Sequence, residues 1–334
     1  MKPSINLKHL KALTDDVGII QHTKYDIPDR KNGYALDDQA RALIAVTYLN
    51  ENELAKVYLS YLYHAQTEEG LFDTFMNYDR KFTNLNSKSS DVGISDAFAL
   101  SFWALTVVCK EKKSKGTDNL AKSMLNKTLK HLLASNSLRI TSYTILGLTN
   151  LKDKEKLKKA TDRVIKNYWD KNSTGNWKWF ENNLTYANGV IPYALLMANE
   201  ILNDPALKEV AIESAKFLEK NSKIGEYPAP IGCYGWYSKG KNRALFDQQC
   251  IDVAFMVMMN NALFRTTKKK KYKNLAEDWF KWFLGNNVHN IQLFDEKSGK
   301  VYDGLTYRDR NENAGAESII VYLLAALSMQ GKLW

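Results

Sequence analysis

A chain of 334 residues, 45% hydrophobic and 25% charged, can bury a sizeable core as one large domain or two ordinary ones, and this composition does not suit a disordered protein. The formal charge of +10 does not by itself indicate a nucleic-acid or membrane partner, because the lysines are spread over helical segments and only Lys268 to Lys271 form a block, which reads as a solvated helix start. Cys109, Cys233 and Cys250 form no CxxC pair and leave an odd one over, so neither a disulfide framework nor a zinc site is expected.

Residues 1–30 are poorly periodic and read as a lead-in segment. Charges interrupt every apolar run in its start, MKPSINLKHLKALTDD, and nothing later approaches the roughly 18 apolar residues of a membrane span. A soluble, cytoplasmic protein is expected.

From Asp37 the pattern changes. DDQARALIAVTYL places apolar residues at Ala40, Leu43, Ile44, Val46 and Leu49 behind an acidic pair, which predicts a helix with anions near the positive end of its dipole. A second helix, Glu51 to Ala65, follows after one turn, and the aromatic- and Asn-rich loop GLFDTFMNYDRKFTNLNSKSS separates it from Ser95 to Cys109. Further helices are predicted over Asp118–Ala134, Ile140–Leu148, Glu155–Tyr168, Asn188–Leu202, Pro205–Lys220, Phe246–Phe264, Tyr272–Leu284 and Ala314–Met329. With one helix from the lead-in, this makes about twelve helices in six pairs, and no strong strand pattern intervenes.

The spacing is unequal and lacks a repeated consensus, unlike most solenoids, and the longest loops precede the first, more apolar helix of each pair. No linker rich in Pro, Gly or Ser divides the chain. The expectation is an all-α (α/α)6 toroid, one domain over residues 1–334, whose long loops surround one mouth.

The starts of the inner helices carry Asp37 and Asp38; Asp91 and Asp96; Arg139 and Tyr143; Glu181, Tyr186 and Asn188; Asp247, Gln248 and Gln249; and Glu317. Helix capping accounts for any one of these acids. As a set, they are interleaved with Trp177, Trp179, Phe180, Tyr234, Trp236 and Tyr237, many of them in the loop clusters WKWF and CYGWY. Sugar rings have apolar faces that stack on aromatics and hydroxyl edges that need polar partners, so the mixture suits a carbohydrate cleft. Loops pinned by buried aromatics are the alternative.

Glycoside chemistry needs two carboxyl groups, one to protonate the leaving oxygen and one to activate water or attack the anomeric carbon. Glu181, among rings expected to desolvate it and raise its pKa, is the predicted acid; Asp38, Asp96, Asp247 and Glu317 compete for the second role. Arg41, Gln248 and Asn188 would hold hydroxyls, and Trp179, Trp236 and Tyr186 would stack on sugar rings. The histidines, His9, His22, His64, His131 and His289, lie outside these motifs, which counts against His-based epimerase chemistry and a His metal site. No P-loop, GxGxxG or GxSxG occurs. DEKSGKVYDG lacks EF-hand spacing and reads as a hairpin-like turn carrying Asp303 to the mouth. Neither a metal nor a cofactor is expected.

GYALDDQARALI, GLFDTFMNYDRKF, WFENNLTYANGVIPYALL, FDQQ, YDGL and NAGAESIIVYLLAAL, in this order over roughly Gly33 to Leu327, resemble a bacterial and archaeal six-hairpin glycosidase-like domain. That domain occurs alone or behind family-4 glycosyltransferases and near family-130 mannoside phosphorylases. The resemblance implies the toroid, a role on an oligosaccharide, plausibly a β-mannoside, and a possible glycosyltransferase partner. It carries functional weight to Asp37, Asp38, Arg41, Asp79, Arg80, Trp179, Glu181, Tyr186, Asn188, Asp247, Gln248, Gln249, Asp303 and Glu317. This chain departs from the family pattern after Asp96, where SDAFALSFWAL stands for a motif like EDSHGRALWAL, and at Ala187, where an acid is common; altered specificity or lost activity is the implied consequence.

Three readings result. The first is a metal-independent, inverting glycoside hydrolase with Glu181 as acid and Asp38 or Asp247 as base. The second is a non-catalytic glycan-binding partner of a glycosyltransferase. The third is a lyase or sugar epimerase on the same fold, with Tyr186 as base beside Arg139 or Arg243.

Overall fold

Short polar side chains set several helix starts. Ser95, Ser114 and Ser137 each accept a backbone N–H from the residue three further on, and Asp204 accepts from Ala206 and Leu207 with Pro205 in the first helical turn. A computed structural model describes residues 1–83, 95–171 and 175–333, and contains twelve α-helices. They are α1 (Lys8–Leu13), α2 (Leu36–Leu49), α3 (Asn52–Ala65), α4 (Asp96–Glu111), α5 (Lys115–Leu132), α6 (Leu138–Leu151), α7 (Lys154–Lys171), α8 (Val190–Leu202), α9 (Pro205–Asn221), α10 (Cys250–Thr267), α11 (Lys270–Lys281) and α12 (Ala316–Met329). Asp91 lies outside the described residues.

The even-numbered helices form a closed inner ring: each packs on the next, and α12 returns to α2. The odd-numbered helices pack outside them, α1 on α12 and α3 to α11 each on the preceding inner helix. The inner helices are buried on nearly every side and mostly apolar; in α8 every residue from Val190 to Ala198 is buried. Glycine allows two of the closest inner contacts. A Cβ on Gly147 of α6 would stand 2.4 Å from the Phe102 ring of α4, and one on Gly189 before α8 would stand 2.9 Å from the Phe255 backbone of α10.

The lead-in belongs to the ring. α1 is short and buries only His9, Leu10 and Leu13, too few residues to show a helical period. Its surroundings are tied to α12 by the Tyr322 phenol, which donates to the Ser4 carbonyl at 3.0 Å, and by the Gln330 amide, which donates to that of Pro3 at 3.2 Å.

Two kinds of connection give the toroid unequal faces. Inner helices α2, α4, α6, α8 and α10 end in a left-handed residue, Asn50, Lys112, Lys152, Asn203 and Lys268, and turn at once into their outer partners. Most returns from outer to inner helices are long and carry the small strands, so functional side chains gather at that face. One return differs from its expected form: α10 begins at Cys250, not Phe246, because Gln248–Gln249 pairs antiparallel with Gly304–Leu305. Lys268→Gly relieves a left-handed lysine at the cost of unfolded-chain entropy, and should raise stability by up to about 1 kcal/mol in urea denaturation.

Candidate active site

Asp37, Asp38 and Arg41 share one face of the first turn of α2, because spacings of three and four residues bring side chains together on a helix. Arg41 is buried, and its Nη1 stands 2.9 Å from Asp37 Oδ2, 3.3 Å from Asp38 Oδ1 and 3.2 Å from Glu317 Oε2 of α12. One oxygen from each of these carboxyl groups lies within 4.8 Å of the others, a spacing that suits a cation, and the Arg41 guanidinium sits among them in that role. Asp303 adjoins the group: its Oδ1 accepts from Gly315 N at 2.7 Å and Ser318 Oγ at 2.8 Å, and so caps α12, whose own N-cap glycine has no side chain to do it.

These acids line a cavity of about 290 Å³ together with Asp247, Gln249 and the Gly304–Thr306 segment. Burial, and then the neighbouring Asp37, push the Asp38 carboxyl well above the usual range against the opposing pull of Arg41. Glu317 is raised by burial too, with Arg41 opposing and Asp37 and Asp303 adding to the rise. A third of its side chain faces the cavity, yet protein surrounds that space, so water solvates it poorly. Burial opposes the charge on Arg41, but Asp37, Glu317, Tyr143 and Asp38 outweigh it and hold the guanidinium cationic.

Outside the cavity lining, Tyr186 donates to Asp96 Oδ2 at 2.5 Å, and the Arg139 guanidinium lies 4.6 Å from its ring centre. Arg139 holds this loop through three elements of the backbone turn before α8: Nε donates to the Tyr186 carbonyl at 2.9 Å, Nη2 to Thr185 Oγ1 at 2.6 Å, and Nη1 faces Glu181 Oε2 at 3.4 Å. Burial and Asp96 raise the Tyr186 phenol, so it keeps its proton; Arg41 reaches Tyr186 and Tyr143 electrostatically, which joins the two halves.

No family model matches the sequence, and no curated protein does. Solved structures do. The cellobiose 2-epimerase of Bacillus thermoamylovorans superposes with a TM-score of 0.73 at 12% identity, covering 98% of this chain and 96% of its own. A D-mannose isomerase gives 0.65 at 12%, covering 97% and 95%, and a cellulase of C. cellulolyticum 0.59 at 10%, covering 97% and 90%. The chain has the six-hairpin, (α/α)6 glycosidase-like fold.

Within this six-hairpin toroid the predicted residues separate. Asp37, Asp38, Asp247, Gln249, Asp303 and Glu317 line the cavity, with Arg41 among them, while Asp96, Tyr186 and Glu181 lie outside that lining, where Tyr186 bonds Asp96 and Glu181 faces Arg139. Trp179 is fully buried, edge-on to Phe180 and stacked on Phe217, so it cannot stack on a sugar; Trp177 packs on Phe217 and Tyr237 in the same way. WKWF therefore pins its loop, and Glu181 faces the Arg139 cation where a desolvating wall of rings was expected. Gln248 is buried with both ends used, donating to the Leu245 carbonyl and accepting from the Trp282 indole. Asn188 is equally committed, accepting from Thr185 N and donating to Thr185 O, so neither amide is free to hold a hydroxyl. Asp79 and Arg80 are exposed outside the cavity, with Arg80 paired to Asp16 at 2.8 Å. Ala187 is buried, and a carboxyl is supplied beside it by Asp252, whose Oδ1 accepts from Asn188 N at 3.4 Å.

Sequence reasoning missed His22 and Asp252. His22 lies on the cavity wall, in a segment whose weak periodicity concealed its place. Asp252 had a signal, an acid within the apolar run CIDVAFMVM. Burial pushes it up to about 7, and also pushes the buried Glu219 on α9, bonded by Asn260 and Trp279, up to about 7.

Two outcomes are expected. Arg41→Ala leaves three carboxyls without their cation and should cost about 3–5 kcal/mol in denaturant unfolding, with the loss deepening as pH rises. A carboxyl with a raised folded-state pKa binds its proton more tightly when folded, so the stability it contributes is full below the unfolded value near 4 and is lost as pH rises through 7. The thermal midpoint should therefore fall between about pH 4 and pH 7 and level off above that, each group contributing a slope of up to about 1.4 kcal/mol per pH unit between its unfolded and folded pKa values. Asp252→Asn with Glu219→Gln should flatten that fall.

Proposed function

We propose that this protein is a carbohydrate-active enzyme, a glycoside hydrolase with Asp38 as proton donor and Asp247 as the base that activates water. The observation that carries this reading is that one cavity is lined both by a buried carboxyl, Asp38, pushed well above the usual carboxylate range, and by the exposed carboxyl of Asp247. Environments that push two acids apart in pKa are how one site supplies both acid and base. Asp38 would protonate the leaving oxygen while Asp247 takes a proton from the water attacking the anomeric carbon, giving inversion. Glu317 and Arg41 hold Asp38 in place, and Tyr186, Asp96 and Glu181 bound the substrate beyond the cavity lining.

Among the described residues, five carboxyl groups line the cavity, Asp37, Asp38, Asp247, Asp303 and Glu317, three of them paired with Arg41. That balance disfavours uronates and sugar phosphates and supports a neutral glycoside over the substrate of a uronate lyase. The motif resemblance supports a β-mannoside as the first sugar to try and a glycosyltransferase as partner. A second reading, sugar epimerase or isomerase, is supported by His22 on the cavity wall and by the likeness to structures of a cellobiose 2-epimerase and a D-mannose isomerase.

Incubation with manno- and gluco-oligosaccharides, followed by NMR of the anomeric configuration, tests the proposal. Asp38→Asn should lower kcat by about 10²–10⁴-fold, and by less on a glycoside whose leaving group needs no proton. In the wild type, kcat should fall on the alkaline side with an apparent pKa well above the ordinary carboxylate range, as Asp38 ionises. Full turnover by Asp38→Asn would refute the assignment. Deuterium entering C2 of the sugar from heavy water would select the epimerase, and binding without turnover the glycan-binding module.

A further inference from the structure

Of the aromatic side chains described, Tyr234 and Tyr307 are the most exposed, at 89% and 75%, and each directly follows a residue that lines the acidic cavity. Tyr234 follows the cavity residue Cys233, and its N–H donates to the Phe246 carbonyl at 3.2 Å. Tyr307 follows the cavity residue Thr306 and meets the Phe246 ring edge-on at 5.8 Å. Phe246 immediately precedes Asp247, so both tyrosines contact the residue next to the proposed base.

The backbone presents these rings to solvent. Gly232 N donates to the Ala244 carbonyl, Ala244 N to that of Trp236, and Cys233 N to that of Asp247, which closes the CYGWY loop onto the strand before α10. Gly232 is needed for that approach, since a Cβ there would stand 2.2 Å from the Phe246 carbonyl oxygen. The same loop holds Trp236 at a left-handed φ of 57°, costly for a bulky side chain, with its ring 6.3 Å from that of Tyr186. Single exposed aromatics are ordinary. Two held open by a tightly bonded loop and its neighbour, both beside one cavity, call for a ligand.

The cavity, at about 290 Å³, falls just below the roughly 300–1,000 Å³ typical of ligand sites, so an oligosaccharide bound there would extend beyond it. Resting on the hydrolase reading above, we infer that Tyr234 and Tyr307 are a stacking platform for the outer rings of the substrate, which makes the enzyme selective for chains longer than its cavity. Sugar faces would lie on the phenol rings, which explains rings that stay exposed in the free protein.

The test is binding by calorimetry and hydrolysis of linear β-manno- and β-gluco-oligosaccharides, from disaccharide to hexasaccharide, by the wild type and by Tyr234→Ala/Tyr307→Ala. Wild-type affinity and kcat/KM should rise with chain length. The double variant, with an unchanged thermal midpoint, should lose about three- to ten-fold per ring on the longest chain, and the loss should shrink as the chain shortens. Tyr→Phe at both positions should restore the gain, because stacking needs the ring and not the hydroxyl. A wild type that treats hexasaccharide like disaccharide, or a double variant that keeps the length gain, overturns the platform while leaving the hydrolase standing. Length-dependent binding without turnover, still lost in the double variant, keeps the platform and overturns the hydrolase. No binding of any chain overturns both.

Discussion

The Arg41 guanidinium is the interaction on which the site depends. It joins α2, the first inner helix, to α12, the last, through Asp37, Asp38 and Glu317, at the seam where the ring closes. A buried cation needs anions close by, and carboxyls crowded together need a cation. Each therefore justifies the other, and burial raises the Asp38 and Glu317 carboxyls against the opposing pull of Arg41.

The toroid separates stability from chemistry by its connections. Tight left-handed turns finish the inner helices on one face, so little chain is left there to build a site. The long returns on the other face are fixed by small strand pairs, such as Asn183–Leu184 with Tyr237–Ser238 and Gln248–Gln249 with Gly304–Leu305. Loops fastened in this way hold side chains as firmly as helices do. That rigidity suits acid–base chemistry, in which small displacements of a proton donor are costly.

Charge is arranged against the average. The chain carries a net +10, yet its cavity gathers five acids, three of them paired with Arg41. Lysines dominate exposed outer helices such as α7 and α11, whereas the mouth is acidic, so overall charge says nothing about the ligand. Aromatics divide in the same way. Trp177, Trp179 and Phe180 are buried anchors of a loop, while Tyr234 and Tyr307, of the same chemical type, stand open to solvent.

The sequence by itself determined the helices and their pairing, because apolar residues recurring at helical spacing, and their saturation in the inner helices, are local properties. It also marked the acids in the first turns of α2 and α12, Asp37, Asp38 and Glu317, and Arg41 one turn on in α2, all legible within a few positions. Only the tertiary structure decided which of these residues meet. Arg41 and Glu317 lie at opposite ends of the chain and touch only when the ring closes. Trp179 and Trp236 look alike in their loops, but the first is buried on Phe217 and the second is turned beside Tyr186. Gln248 and Asn188 read as ligand hooks until their partners, the Trp282 indole and the Thr185 backbone, are in place. A side chain's charge, exposure and free hydrogen-bonding capacity depend on neighbours distant in sequence, and those neighbours arrive only with the fold.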